Sequence, residues 1–68
     1  MTILDARGLS CPEPVIMIQK AMKTKEAACV MMVDNHASKE NVTRFAEKAG
    51  YSVTVTESNG EYTLEMRK

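Results

Sequence analysis

The dipeptide Asn59-Gly60 lies between two stretches, Tyr51 to Glu57 and Glu61 to Arg67, in which apolar and polar residues alternate. A two-residue type I′ hairpin turn needs positive φ at both central positions, and Asn-Gly is the pair that adopts it most readily. Folding the arms about this turn sets Val55 opposite Leu64 and Val53 opposite Met66 on one face. Thr56 then faces Thr63, and Ser52 faces Arg67, on the other. The two faces sort by polarity, which supports the hairpin.

From Pro12 the residues Val15, Ile18, Ala21 and Met22 recur at helical spacing, with Gln19, Lys20 and Lys23 opposite, which predicts an amphipathic helix reaching about Lys23. Pro12 falls at its first position, where a missing N–H costs nothing. After Asp34-Asn35-His36, Ser38 is placed to cap a second helix with Val42, Phe45, Ala46 and Ala49 on one stripe and Gly50 just past its end. Thr2 to Asp5 reads as a short strand stopped by Arg7-Gly8. The continuous apolar run Ala28 to Val33 reads as an interior strand shielded on both faces. The order is βαβαββ. Right-handed crossovers keep strands one to three parallel while strand four returns antiparallel, giving an α+β two-layer sandwich with a mixed four-stranded sheet and both helices on one face.

At 68 residues the chain is read as a single domain over 1–68. A domain of this size buries only about 60% of its unfolded surface, so its stability should be modest. Nine Lys plus Arg balance nine Asp plus Glu, leaving no net field to attract nucleic acid or an anionic membrane. Two tyrosines and one phenylalanine are few for base stacking, so no direct nucleic-acid binding is expected. Met1 leads straight into a strand-like run with no signal-peptide pattern and no apolar stretch of membrane length, which makes the cytoplasm the expected compartment. Cys11 and Cys29 are too far apart for a CxxC pair and too few for a disulfide scaffold or a four-ligand zinc site. In a reducing compartment both are thiols, and no metal site or cofactor is expected.

Cys11 opens the run Cys11-Pro12-Glu13-Pro14. At the N-cap of the first helix it would meet backbone donors and the positive end of the helix dipole, which favour thiolate over thiol. Pro12 and Pro14 stiffen that turn and remove two competing N–H groups. Glu13 opposes the effect with a nearby negative charge, and Arg7 on the preceding loop is placed to offset it. In an open sheet of this kind chemistry gathers beyond the carboxyl ends of the parallel strands, where Cys11 and the loop from Asp34 to Ser38 both fall.

The stretch Leu4-Asp5-Ala6-Arg7-Gly8-Leu9-Ser10-Cys11-Pro12-Glu13-Pro14-Val15 resembles the signature of the TusA/SirA family of sulfur carriers, and the βαβαββ order extends the resemblance over nearly the whole chain. The resemblance implies that Cys11 takes sulfane sulfur as a persulfide from a cysteine desulfurase or rhodanese-type donor and relays it to an acceptor protein, as in tRNA thiolation. Gly8, Pro12 and Pro14 would be motif residues, with Arg7 and Glu13 in support. The region Asp34 to Val42 and the terminal hairpin are also similar to the amino-terminal domain of YedF-like proteins, in which a DsrE-like domain follows. That similarity implies a DsrE-like acceptor, a chain that continues past Lys68, and selenium as an alternative cargo.

Ile16 and Met17 fall off the main apolar stripe near Cys11 and, with Lys20, are candidates for a partner-docking surface. Cys29, inside an apolar strand, reads as a small buried hydrophobe, and His36 as a residue of a solvated loop. Two other functions stay open: a non-catalytic interaction or regulatory module of the same fold, and direct RNA binding, which the balanced charge disfavours.

Overall fold

The computed structural model describes residues 2–9, 13–23 and 27–68. The chain runs β1 (Thr2–Asp5), α1 (Glu13–Lys23), β2 (Ala28–Val33), α2 (His36–Lys48), β3 (Ser52–Ser58) and β4 (Glu61–Arg67). The four strands form one sheet in the order β1-β2-β4-β3. β1 pairs parallel with β2, and β4 pairs antiparallel with both β2 and β3, so β1, β2 and β3 share one direction.

The hairpin has the register read from its alternation, with Val55 opposite Leu64, Val53 opposite Met66 and Thr56 opposite Thr63. Asn59 and Gly60 have φ of 53° and 78°, the two positive values a type I′ turn requires. Cys29, Met31 and Val33 of β2 and Leu64 and Met66 of β4 are buried in one core with Ile18 of α1 and Val42 and Ala46 of α2. α1 lies against β2 and α2, and α2 lies against β3 and β4, so the two helices cover the same face of the sheet.

Three expectations change. Burial along β2 alternates: Cys29, Met31 and Val33 face the helices, while Ala28, Val30 and Met32 are half-buried on the other side. The strand is interior, but among the described residues its second face has no covering layer; Ile3, paired with Val30, is 64% exposed there. Flanking strands give partial shelter even on an open face, which is why an unbroken apolar run does not require two covering layers. Tyr51 lies outside β3: its N–H donates to the Ala46 carbonyl at 3.0 Å, and its side chain is buried at the end of α2.

The third change concerns the start of α2. Asn35, not Ser38, is its N-cap: it is extended at φ −149° and ψ 155°, and its side-chain oxygen accepts the Ser38 N–H at 2.8 Å. His36 is therefore the first helical residue rather than part of a loop. Ser38, Val42 and Ala46 are all buried at four-residue spacing, so the buried stripe extends one turn upstream onto a small side chain and carries the helix start with it. Asn35→Ala is expected to destabilise the domain by about 1 kcal/mol in urea denaturation, the usual cost of a lost cap. Ser38→Ala, which removes a buried hydroxyl with no hydrogen-bond partner, should be neutral or slightly stabilising. The opposite ranking would return the cap to Ser38.

Candidate functional site

The carboxyl ends of β1 and β2 lie side by side. Asp5 pairs with Met32, and the ladder continues as the Ala6 N–H donates to the Met32 carbonyl at 2.8 Å. The chain then turns at once, with the Leu9 N–H donating to the Ala6 carbonyl at 3.3 Å. Gly8, third in this turn, has φ 81°. A type II turn needs about +80° at that position, which glycine adopts without a Cβ penalty. The Arg7 N–H donates to Asp5 Oδ1 at 3.1 Å, and the Gly8 N–H donates to Asp34 Oδ2 at 2.7 Å. Every backbone donor from Ala6 to Leu9 thus has an acceptor, so the segment leading to Cys11 is held by four separate bonds.

Arg7 grips Asp5 with two parallel bonds, Nε to Oδ1 at 2.9 Å and Nη2 to Oδ2 at 2.8 Å, and reaches Glu61 Oε1 through Nη1 at 3.4 Å. This pairing lies across the end of the sheet at the start of β4. Asp5 and Arg7 are about half-exposed, so the pair adds little to stability, but its two-bond geometry fixes the guanidinium in orientation. The Arg7 side-chain hydrogen bonds, followed by its backbone N–H, hold the Asp5 carboxyl down at about 2, below its ordinary 3.8. The same bonds and the Asp5 charge raise Arg7 above its usual range. Two carboxylates, those of Asp5 and Glu61, thus engage the guanidinium that the sequence placed to offset Glu13.

A depressed carboxyl stabilises the folded form above its unfolded pKa and loses that effect as pH falls through the folded value. The Asp5–Arg7 clamp is therefore expected to persist at neutral pH, its contribution to stability falling away between about pH 4 and pH 2 and the clamp itself being half-open near pH 2. Carbon-detected NMR titration of the Asp5 carboxyl should give a midpoint near 2 in the native chain, and one closer to 3.8 in Arg7→Gln. A native midpoint at the ordinary value would show that the clamp does not form in solution.

On the β2 side, Asp34 and Asn35 connect the same turn to α2. Asp34 Oδ2 holds Gly8, Asp34 Oδ1 accepts from Asn35 Nδ2 at 3.3 Å, and Asn35 caps α2. His36 is exposed and lies 3.4 Å from Glu40 one turn on, and the Lys39 ammonium stands 5.1 Å from the Tyr62 ring centroid.

Cys11 and Pro12, and with them the expected N-cap and first helical position, lie outside the described residues. Glu13 opens α1 and is exposed, while Pro14 is fully buried, so the second proline of the motif packs into the core as well as stiffening the turn. Ile16 is 43% exposed and Lys20 is exposed. Met17 packs partly buried against the core, which corrects its placement off the buried stripe. Cys29 is buried. The sequence reading missed Asp5, Asp34 and Glu61 as holders of the loop. The Asp-x-Arg spacing before a glycine was the local signal for the first, and the position of Asp34 just past β2 was the signal for the second. Nothing local pointed to Glu61. Among the described residues no three His, Cys, Asp or Glu side chains gather as a metal site, and no helix is long and apolar enough to cross a membrane.

Fold and edge turn define a small α+β domain whose sequence carries a Cys-Pro-x-Pro motif between the end of β1 and the second residue of α1. Residues 2–68 match the family model described as Sulfurtransferase TusA. The chain belongs to the TusA family. It is 33% identical over 61 residues to the candidate sulfur carrier protein YrkF of Bacillus subtilis (strain 168), covering 87% of this chain and 33% of YrkF. It is 28% identical over 61 residues to the candidate sulfur carrier protein YrkI of the same organism, covering 87% of this chain and 81% of YrkI. The chain thus spans about a third of the length of YrkF and most of YrkI. The crystal structure of a SirA-like protein from Desulfitobacterium hafniense superposes with a TM-score of 0.89 at 34% identity, covering 98% of this chain and 96% of that one.

Proposed function

We propose that this domain is a sulfur carrier in which Cys11 accepts sulfane sulfur as a persulfide and passes it to an acceptor protein. The observation that carries the reading is the match of residues 2–68 to the TusA sulfurtransferase family, a span that includes Cys11 and both flanking prolines. The hydrogen-bonded turn from Ala6 to Leu9 supports it, because a relay atom works best at the end of a rigidly held segment.

In the proposed step the Cys11 thiolate attacks the terminal sulfur of a donor persulfide. A new S–S bond forms at Cys11 as the donor's S–S bond breaks, the donor leaves as thiolate, and the terminal sulfur keeps its proton. The exchange is redox-neutral and needs no metal or organic cofactor. Delivery repeats it, with an acceptor thiolate attacking the terminal sulfur and Cys11 leaving. A cysteine desulfurase or rhodanese-type protein is the proposed donor, and a DsrE-like protein the proposed acceptor. Sulfur destined for tRNA thiolation, or selenium, is the proposed cargo. Ile16 and Lys20, exposed on the helix that follows the motif, form the proposed docking face, with Met17 behind them.

Mass spectrometry after incubation with a cysteine desulfurase and cysteine tests the reading. One added sulfur on the peptide containing Cys11 is expected, and Ile16→Ser should slow its appearance. A chain that stays unmodified in the presence of an active desulfurase and of a rhodanese-type donor would favour the interaction-module reading instead.

A further inference from the structure

The four amides from Ala6 to Leu9 differ in what holds them. Ala6 is bound by the neighbouring strand, and Arg7 and Leu9 are bound within their own segment. Gly8 alone among these four is bound by the β2–α2 loop, through Asp34 Oδ2 at 2.7 Å, the shortest of the four bonds. Asp34 is in turn held through Asn35, whose other side-chain atom caps α2 by accepting the Ser38 N–H. A continuous line of hydrogen bonds therefore runs from the first turn of α2 to the residue three positions before Cys11.

We propose that Asp34 is a positioning residue for the reactive cysteine: its carboxylate latches the Gly8 amide and so fixes the Ala6–Leu9 turn from which the chain continues to Cys11. The inference rests on the reading in which Cys11 carries sulfur. Three residues of chain reach at most about 11 Å, so the direction taken at Gly8 limits where the thiol can be presented. A bond from an amide to a charged acceptor is among the stronger local restraints, and losing it lets the turn populate orientations in which the cysteine is not presented for exchange. The role belongs to the acceptor atom and not to the negative charge. A bare negative charge beside a thiolate would oppose ionisation, so removing it should speed the reaction.

Asp34→Ala and Asp34→Asn separate these effects. Alanine removes both acceptor and charge; asparagine removes the charge and keeps a carbonyl oxygen for the Gly8 N–H. Two rates are read by mass spectrometry on the Cys11 peptide at neutral pH: alkylation by iodoacetamide, and sulfur loading from a cysteine desulfurase. Asp34→Ala should slow both about tenfold while the thermal midpoint moves by only a few degrees, and Asp34→Asn should restore both to within about threefold of the native chain. Native rates in both variants, or faster rates in both, would overturn the proposal, the second by showing that charge dominates. Equal slowing in both would also overturn it, as would a loss in Asp34→Ala that merely tracks global unfolding. The alkylation arm uses no sulfur donor. If the native chain takes up no sulfur, the carrier reading fails while the alkylation rates still decide the role of Asp34.

Discussion

Cys11→Ser is expected to reduce sulfur acceptance from a desulfurase to background, while the circular dichroism spectrum and thermal midpoint stay close to those of the native chain. A serine hydroxyl does not ionise near neutral pH and cannot form a persulfide, so the chemistry disappears with one atom. Serine is also a favoured helix N-cap, so the start of α1 loses nothing if the residue caps it as the sequence predicts. Cys29→Ser is the matched control. Cys29 is 2% exposed in β2, so serine replaces a buried, weakly polar thiol with a more strongly hydrated hydroxyl, and its desolvation costs stability. That variant should melt earlier and still carry sulfur. Sulfur uptake by folded Cys11→Ser, or its loss in Cys29→Ser alone, would sink the assignment of the reactive atom.

The second large effect is on stability. Leu64 is fully buried in β4 between Met31 of β2 and Val55 of β3, on the face that meets the helices. Leu64→Ala is expected to cost about 3 kcal/mol, within the range of about 2 to 5 for buried leucines. A domain of this length has roughly 3 to 10 kcal/mol in total at the usual per-residue stability, so the substitution removes a large share of it. The thermal midpoint should fall by roughly 12 to 24 °C, at about 4 to 8 °C per kcal/mol for so small a domain. Val55, its partner in the same rung, is 41% exposed at the sheet edge, and Val55→Ala should cost under about 1 kcal/mol. Similar losses in the two variants would mean that the covered face extends further over β3 than the structure places it.

The hairpin was legible because its two determinants are local. Asn59-Gly60 satisfies a dihedral requirement, and strict alternation leaves one register that sorts Val53, Val55, Leu64 and Met66 to a single face. The helices were legible from periodicity, although the start of α2 was not. Asn35 and Ser38 are comparable caps in isolation, and the choice between them depends on which residue has its side chain buried against the sheet. The family was legible for a similar reason: Cys11, Pro12, Glu13 and Pro14 are adjacent in the chain, and the family they point to is the one whose model matches residues 2–68.

The tertiary structure decided which distant groups hold the turn that precedes that motif. Gly8 meets Asp34, and Arg7 meets Glu61 across 54 positions of chain, because β1 and β2 end at the same edge where β4 begins. No periodicity encodes such a contact; it exists only once the strands are ordered β1-β2-β4-β3. Burial was divided in the same way. The sequence by itself determined that β2 is apolar throughout and that α1 carries an apolar stripe. The closing of the sheet beneath two helices decided that Val30 and Met32 lie on the uncovered face, and that Met17 packs inward while Ile16 remains exposed, because burial depends on which face receives the second layer.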